Sequence, residues 1–196
     1  MSLLSRRLKP YYEELLEPLI NLFGKYKVNP NLITLLGLLF VGIGSLLLYS
    51  GNIFLAFIFL LLGALADSVD GALARRLNLK TKFGAFLDST VDRFSDALPF
   101  TAFGVYYASY GDKVGTLLSF LALISSFGVS YTRARAESLG VYGLGGAFER
   151  TERWIVLLGS IILGLFKIGL FIITVGSLIT VLQRISETKR ALEVKG

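Results

Sequence analysis

Six apolar stretches run through this chain of 196 residues: roughly Leu32–Tyr49, Ile53–Ala74, Gly84–Tyr107, Val114–Thr132, Arg153–Phe166 and Ile168–Gln183. Each comes near the ~20 consecutive apolar residues that a helix needs to cross a bilayer. Hydrophobic residues make up 54% of the chain, and a soluble domain of this size would need far more polar surface. The expected fold is an all-α integral membrane protein with six transmembrane helices, over about residues 32–50, 53–76, 84–108, 114–133, 152–166 and 168–186. The fifth is the shortest: only about fourteen of its residues are clearly apolar, and its start is borrowed from polar sequence. No polar linker separates the spans, so residues 1–196 read as one domain.

Ahead of the first span, Arg6–Val28 is mixed polar sequence unlike a cleaved signal, so targeting is expected through the spans themselves. Residues 10–27 place Leu15, Leu16, Leu19, Ile20, Leu22 and Phe23 on a helical repeat, with Glu13, Glu14 and Glu17 elsewhere. That pattern predicts an amphipathic helix lying on the membrane interface, with Pro18 as a kink point. Asn29-Pro30-Asn31 then breaks it and caps the first span.

Orientation follows from the cations. Taking the loops alternately, one side carries Arg6, Arg7, Lys9, Lys25 and Lys27, then Arg75, Arg76, Lys80 and Lys82. The same side continues with Arg133, Arg135, Arg150 and Arg153, and then Arg184, Lys189, Arg190 and Lys195. The other side has Lys113 and Lys167. The positive-inside rule places both termini in the cytoplasm, which requires an even number of spans. The net charge of +6 then describes a cytoplasmic surface facing membrane lipid, not a nucleic-acid site. A multi-pass protein of the cell membrane is expected, with its chemistry on the inner side, where the longer charged loops lie.

Five aspartates, Asp67, Asp70, Asp88, Asp92 and Asp96, interrupt the second and third spans, where lipid makes each charge expensive. Read as helices joined by the basic turn "RRLNLKTKF", the two spans form an antiparallel pair. Measured from Arg75, Asp67 lies ~12 Å deep and Asp70 ~7.5 Å; measured from Gly84, Asp88 lies ~6 Å deep and Asp92 ~12 Å. Asp67 is thus expected to meet Asp92, and Asp70 to meet Asp88, with each helix presenting its two acids on one face. Four carboxylates there repel one another and lose solvation, and divalent metal is the economical remedy. The chain has no cysteine and no histidine, so any metal must be a hard, oxygen-bound ion such as Mg²⁺, Mn²⁺ or Ca²⁺. Four carboxylates suit two ions, and a two-metal site suits reactions at phosphorus. Intramembrane acids also serve as ion relays, so a cation-coupled transporter is the competing class. That reading expects charge on both faces and access from outside, whereas these acids sit on the inner side. Asp96 reads equally as a structural acid pairing with an arginine.

The pattern Asp67-x2-Asp70-Gly71-x2-Ala74-Arg75-x8-Gly84-x3-Asp88-x3-Asp92 resembles the signature of the CDP-alcohol phosphotransferase family, with every signature position and both spacings intact. The resemblance extends to the six-span layout and the amphipathic N-terminal helix. It implies transfer of a phospho-substituent from a CDP-alcohol to the hydroxyl of a second alcohol, with release of CMP and dependence on Mg²⁺ or Mn²⁺. Carried over by position, Asp67, Asp70, Asp88 and Asp92 hold two metal ions, and Asp92 takes the proton from the attacking hydroxyl. Gly71 and Ala74 are small enough to let the cytidine and diphosphate approach the backbone. Arg75 meets the diphosphate as a fixed cation. Thr81, Gly84 and the "PNLIT" positions Asn31 and Thr34 complete the CDP-lipid contacts. Relatives are homodimers, which the resemblance extends to this chain.

Two later segments address the acceptor. "SYTRARAESLG" (Ser130 to Gly140) ends the fourth span and "FERTERW" (Phe148 to Trp154) opens the fifth. They resemble the S-Y-x-K/R-A-R-A-E and E-R-x-E-R patterns of phosphatidylinositol-phosphate and archaetidylinositol-phosphate synthases. The resemblance makes Arg133, Arg135 and Arg153 ligands of the acceptor's phosphate, with Arg150, Arg184 or Arg190 able to join them. Arg190 is taken as the fourth. Guanidinium clusters suit a phosphomonoester dianion, so inositol 1-phosphate is the expected acceptor and glycerol 3-phosphate the alternative. "GLGG" (Gly143 to Gly146) reads as a flexible loop, lacking the lysine and strand context of a phosphate-binding loop.

Overall fold

A computed structural model describes residues 16–193. Among these residues every regular element is helical: α1 over residues 16–25, α2 Pro30–Tyr49, α3 Ile53–Arg76, α4 Lys82–Ser109, α5 Lys113–Ser138, α6 Arg150–Ile162 and α7 Phe166–Glu193. The first part of the expected interfacial helix, residues 10–15, lies outside the described residues, as do Arg6, Arg7, Lys9 and Lys195.

Four helices, α2, α3, α5 and α7, are long and apolar enough to cross a membrane. The other two expected spans differ from them for separate reasons. At 28 residues, α4 is long enough, but it carries Asp88, Asp92, Arg93 and Asp96. Helix α6 has 13 residues, about 20 Å at ~1.5 Å per residue, against a hydrocarbon core of ~30 Å. The described helices also run on past two expected ends. Helix α5 continues from 133 to Ser138, so Arg133 and Arg135 stand on its last turns, and α7 continues from 186 to Glu193.

The chain divides into two compact units, with the boundary between Tyr106 and Tyr107. In the unit ending at Tyr106, Asn29 is the N-cap of α2: its side chain accepts from the Asn31 N–H at 3.0 Å, and Pro30 occupies the first turn, where its missing N–H costs nothing. Helices α2 and α3 pack closely along glycines. A Cβ at Gly44 would lie 2.9 Å from the backbone nitrogen of Leu60, and one at Gly63 would lie 3.0 Å from the Gly37 carbonyl oxygen. Close backbone approach through small residues is the usual way apolar helices gain packing energy where the surrounding lipid offers no hydrophobic drive. Leu16 and Ile20 of α1 bury against Ile33, Val69, Ala72 and Leu73, which seats the amphipathic helix on the end of α3 that leads to the basic turn. That turn reverses the chain through Asn78, whose φ of 53° lies in the left-handed region Asn tolerates. Thr81 then caps α4, its Oγ accepting from the Gly84 N–H at 2.9 Å.

In the second unit, α7 packs against both α5 and α6. The buried face mixes aliphatic residues (Ala122, Val129, Leu170, Ile173) with small hydroxyls (Ser119, Ser126, Ser177, Thr180). Asp112 caps α5, accepting from the Gly115 N–H at 3.0 Å, and pairs with Lys167 in the first turn of α7. The Gly115 N–H and then the Lys167 ammonium hold the Asp112 carboxyl below its usual range. Glu149 and Glu152 form a reciprocal capping box at the start of α6.

The "GLGG" segment is not the loose connector its composition predicts. The Gly145 carbonyl accepts from Arg184 Nε at 3.0 Å, the Ala147 N–H donates to Gln183 Oε1 at 3.0 Å, and the Phe148 N–H donates to Thr180 Oγ at 2.9 Å. A Cβ at Gly176 would lie 2.6 Å from the Phe148 ring, so the ring sits on bare backbone of α7.

The glycine contact between α2 and α3 makes a direct prediction. Gly44→Val should force the two helices apart and cost about 1–3 kcal/mol, as overpacked cores do. In detergent this should appear as a lowered melting temperature, while Gly42→Ala, where a Cβ meets nothing within 4 Å, should melt like wild type.

Candidate active site

The turn between α3 and α4 brings the acids together. One carboxylate oxygen each from Asp67, Asp88 and Asp92 lies within 4.8 Å of the other two. The helical repeat explains why. Asp88 and Asp92 are four residues apart on one face of α4, and Asp67 approaches at comparable depth from α3. The Asp92 carboxylate also lies 3.5 Å from the Arg93 guanidinium.

Asp70 stands differently. It is the most buried acid of the group, 4% exposed, and its Oδ2 accepts from the Thr34 hydroxyl of α2 at 2.5 Å. The equal-depth pairing of Asp70 with Asp88 is therefore only part of the arrangement. Both line one cavity, but the group of three is Asp67, Asp88 and Asp92, and Asp70 stands beside it in contact with α2.

That cavity opens where the start of α2, the end of α3 and the start of α4 meet. Asn31, Thr34, Gly71, Ala74, Arg75, Thr81 and Gly84 all line it. Pro30, Leu79, Lys80 and Ala85 complete its wall with the two aspartates. Small residues keep it open. A Cβ at Gly84 would lie 3.0 Å from Thr81 Oγ and 3.2 Å from Asn31 Oδ1, and one at Gly71 would lie 3.4 Å from Arg75 Nη1. An exposed guanidinium therefore lies over bare backbone beside the carboxylates, an arrangement suited to a diphosphate. Lys80 was legible in the sequence only as one more topological cation.

The residues present fit a divalent cation. The converging donors are carboxylate oxygens, which hard cations prefer, and the clustered negative charge needs a positive partner in this apolar setting.

In the second unit the arginines named from sequence have separate fates. Arg133 Nε donates to Glu137 Oε1 at 3.0 Å one turn along α5, and Arg135 Nη1 donates to Ser138 Oγ at 3.3 Å. Arg153 is 3% exposed in the first turn of α6, whereas Arg190 is exposed near the end of α7. Arg150 lies over the Trp154 ring, 5.9 Å from its centroid. Arg184 is committed to structure. It is 2% exposed, donating to the carbonyls of Val129 and Gly145 and to Glu149 Oε1 at 3.2 Å, and so ties α5, the loop and α6 to α7. Sequence could not distinguish Arg184 from Arg190, because both read as cations near the inner end of the last span.

Comparison with known proteins sets this geometry in a family. Residues 27–188 match the family model described as CDP-alcohol phosphatidyltransferase. The chain belongs to that family. It is 83% identical over 195 residues to a protein of Aquifex aeolicus of no assigned function, covering 100% of both chains. It is 39% identical over 189 residues to the archaetidylinositol phosphate synthase of Pyrococcus horikoshii, covering 96% of this chain and 98% of that one. Among solved structures it is similar to Mycobacterium tuberculosis phosphatidylinositol phosphate synthase with CDP-DAG bound. That match has a TM-score of 0.79 and 30% identity, and covers 87% of this chain and 92% of the other. The crystal structure of the same enzyme with manganese and citrate gives a TM-score of 0.78 at 31% identity, covering 87% of each chain. The chain is thus a membrane transferase of phospholipid synthesis.

The contrast between two arginines is testable. Arg184→Ala leaves the buried Glu149 carboxylate without its guanidinium, and breaking such a pair costs about 3–5 kcal/mol. The variant should melt far below wild type or fail to accumulate, whereas Arg190→Ala should keep the wild-type melting temperature.

Proposed function

We propose that this protein transfers a phosphatidyl-type group from a CDP-lipid to the hydroxyl of a phosphorylated polar alcohol, inositol 1-phosphate, releasing CMP. The observation that carries the reading is the convergence of the Asp67, Asp88 and Asp92 carboxylates beside a cavity that gathers Asn31, Thr34, Gly71, Ala74, Arg75, Thr81 and Gly84. The similar enzymes named for phosphatidylinositol phosphate and archaetidylinositol phosphate synthesis, one solved with CDP-DAG and with manganese, support the same choice.

Asp67, Asp70, Asp88 and Asp92 would hold two Mg²⁺ or Mn²⁺ ions. Such ions, when bound, neutralise the diphosphate's charge and polarise its phosphorus. The chain's own residues do the rest. Arg75 fixes the diphosphate, and the small residues Gly71 and Ala74 admit the nucleotide to the backbone. Asp92 accepts the proton of the attacking hydroxyl as its oxygen bonds to the lipid-side phosphorus. The phosphoanhydride bond breaks, and CMP leaves with the electron pair. Arg133, Arg135, Arg153 and Arg190 receive the acceptor's phosphomonoester, for which a guanidinium's planar donors are suited. The surrounding architecture in this reading is a single domain of six membrane spans with both termini and the site's opening in the cytoplasm, working as a homodimer.

Purified protein given CDP-lipid and inositol 1-phosphate should release CMP with Mg²⁺ or Mn²⁺ and release none in excess EDTA. Substituting glycerol 3-phosphate distinguishes the alternative acceptor, and solute uptake coupled to protons or sodium without CMP release would overturn the enzymatic reading. Asp92→Asn should abolish turnover while still binding CDP-lipid. Arg153→Ala and Arg135→Ala should raise the acceptor KM about ten- to more than a hundredfold, the worth of one charged hydrogen bond, and leave the CDP-lipid KM near wild type. Free inositol reacting as well as its phosphate would remove the arginines from the acceptor site.

A further inference from the structure

Thr34 sits on the second turn of α2 with 6% of its surface exposed, facing Asp70 of α3, which is 4% exposed. The Thr34 hydroxyl lies 2.5 Å from Asp70 Oδ2 and 3.2 Å from the Pro30 carbonyl one turn back. A hydroxyl has one proton to give, and the shorter contact to a carboxylate takes it. The second contact has its own consequence. Threonine in a helix divides between rotamers according to whether its Oγ reaches the carbonyl one turn back, and the rotamer present here makes that approach. Backbone of α2 thereby fixes the direction of the hydroxyl, and the hydroxyl fixes the carboxylate.

The hydroxyl engages Oδ2 of Asp70. The carboxylate lines the same cavity as Asp88, yet it stands outside the group of three whose oxygens approach within 4.8 Å. Burial leaves water little opportunity to orient it. We infer that Thr34 is a positioning residue for metal binding: by holding Asp70 Oδ2, it sets the direction in which the other oxygen of Asp70 meets the ions held by Asp67, Asp88 and Asp92. This differs from the donor-lipid contact that family resemblance implies for Thr34, and it rests on the metal-dependent reading of the site. Residues that orient a metal ligand through a hydrogen bond commonly change affinity ten- to a hundredfold when removed.

The test is Mn²⁺ uptake by the detergent-solubilised full chain, followed by electron paramagnetic resonance without any lipid substrate. Thr34→Val keeps the side chain's shape and loses its hydroxyl, and should weaken Mn²⁺ binding about ten- to a hundredfold. Thr34→Ser restores the donor and should bind within a few-fold of wild type. In an Asp70→Asn background, Thr34→Val should change Mn²⁺ affinity no further. Should the valine variant not fold, Thr34→Ala removes the same hydroxyl without adding bulk. Wild-type Mn²⁺ affinity in a folded variant lacking the hydroxyl overturns the inference, and a raised CDP-lipid KM alongside it returns Thr34 to the donor contacts. A wild-type chain that takes up no Mn²⁺ overturns the metal reading of the site as well.

Discussion

Negative charge gathered between two helices of an apolar chain is the constraint from which the rest of this site follows. Carboxylates within 4.8 Å of one another repel, the more strongly the less water reaches them. A fold that keeps such a group must supply compensating charge and hold the helices rigidly enough that the acids cannot separate. The first unit meets the second requirement with backbone. Glycines at 37, 44 and 63 bring α2 and α3 into close approach, Thr81 caps α4 at the turn, and Leu16 and Ile20 bury against the end of α3. Compensating charge comes from Arg75 at the cavity and from the divalent ions proposed above.

The other unit solves a related problem in a different way. Arg184 is buried there among carbonyl oxygens and the Glu149 carboxylate, so a guanidinium organises a loop that glycine content alone would leave free. Each nitrogen of that side chain has a different partner, the carbonyls of Gly145 and Val129 and the Glu149 carboxylate at the cap of α6. Arg153 lies in the first turn of α6, directly after Glu152 of the cap pair whose other member, Glu149, Arg184 holds.

Much of the candidate site was legible because it is written in local periodicity. Spacings of three and four place paired acids on one helix face, and Asn-Pro-Asn reads directly as a cap, as the Asn29 to Asn31 hydrogen bond shows. The family resemblance named Asn31, Thr34, Gly71, Ala74, Arg75, Thr81 and Gly84, which line one cavity although they are spread over about fifty positions of sequence. Long-range partnerships carried no such signal. Thr34 and Asp70 are 36 positions apart, and nothing in either neighbourhood announces that one holds the other. The same holds for Arg184 and Gly145, 39 positions apart. Hydropathy marks apolar segments and carries little signal for where a helix ends. Helices α5 and α7 run on into polar sequence because a helix outside lipid no longer needs apolar residues, and α6 stops after 13.

Anomalous diffraction from crystals soaked in Mn²⁺, recorded on either side of the manganese edge, addresses the central claim without passing through activity. The account predicts anomalous peaks among the carboxylates of Asp67, Asp88 and Asp92, with Asp70 in reach of at least one of them, and their loss in Asp67→Asn crystals. Peaks only at surface acids, with the three carboxylates bridged instead by arginine or water, would contradict it.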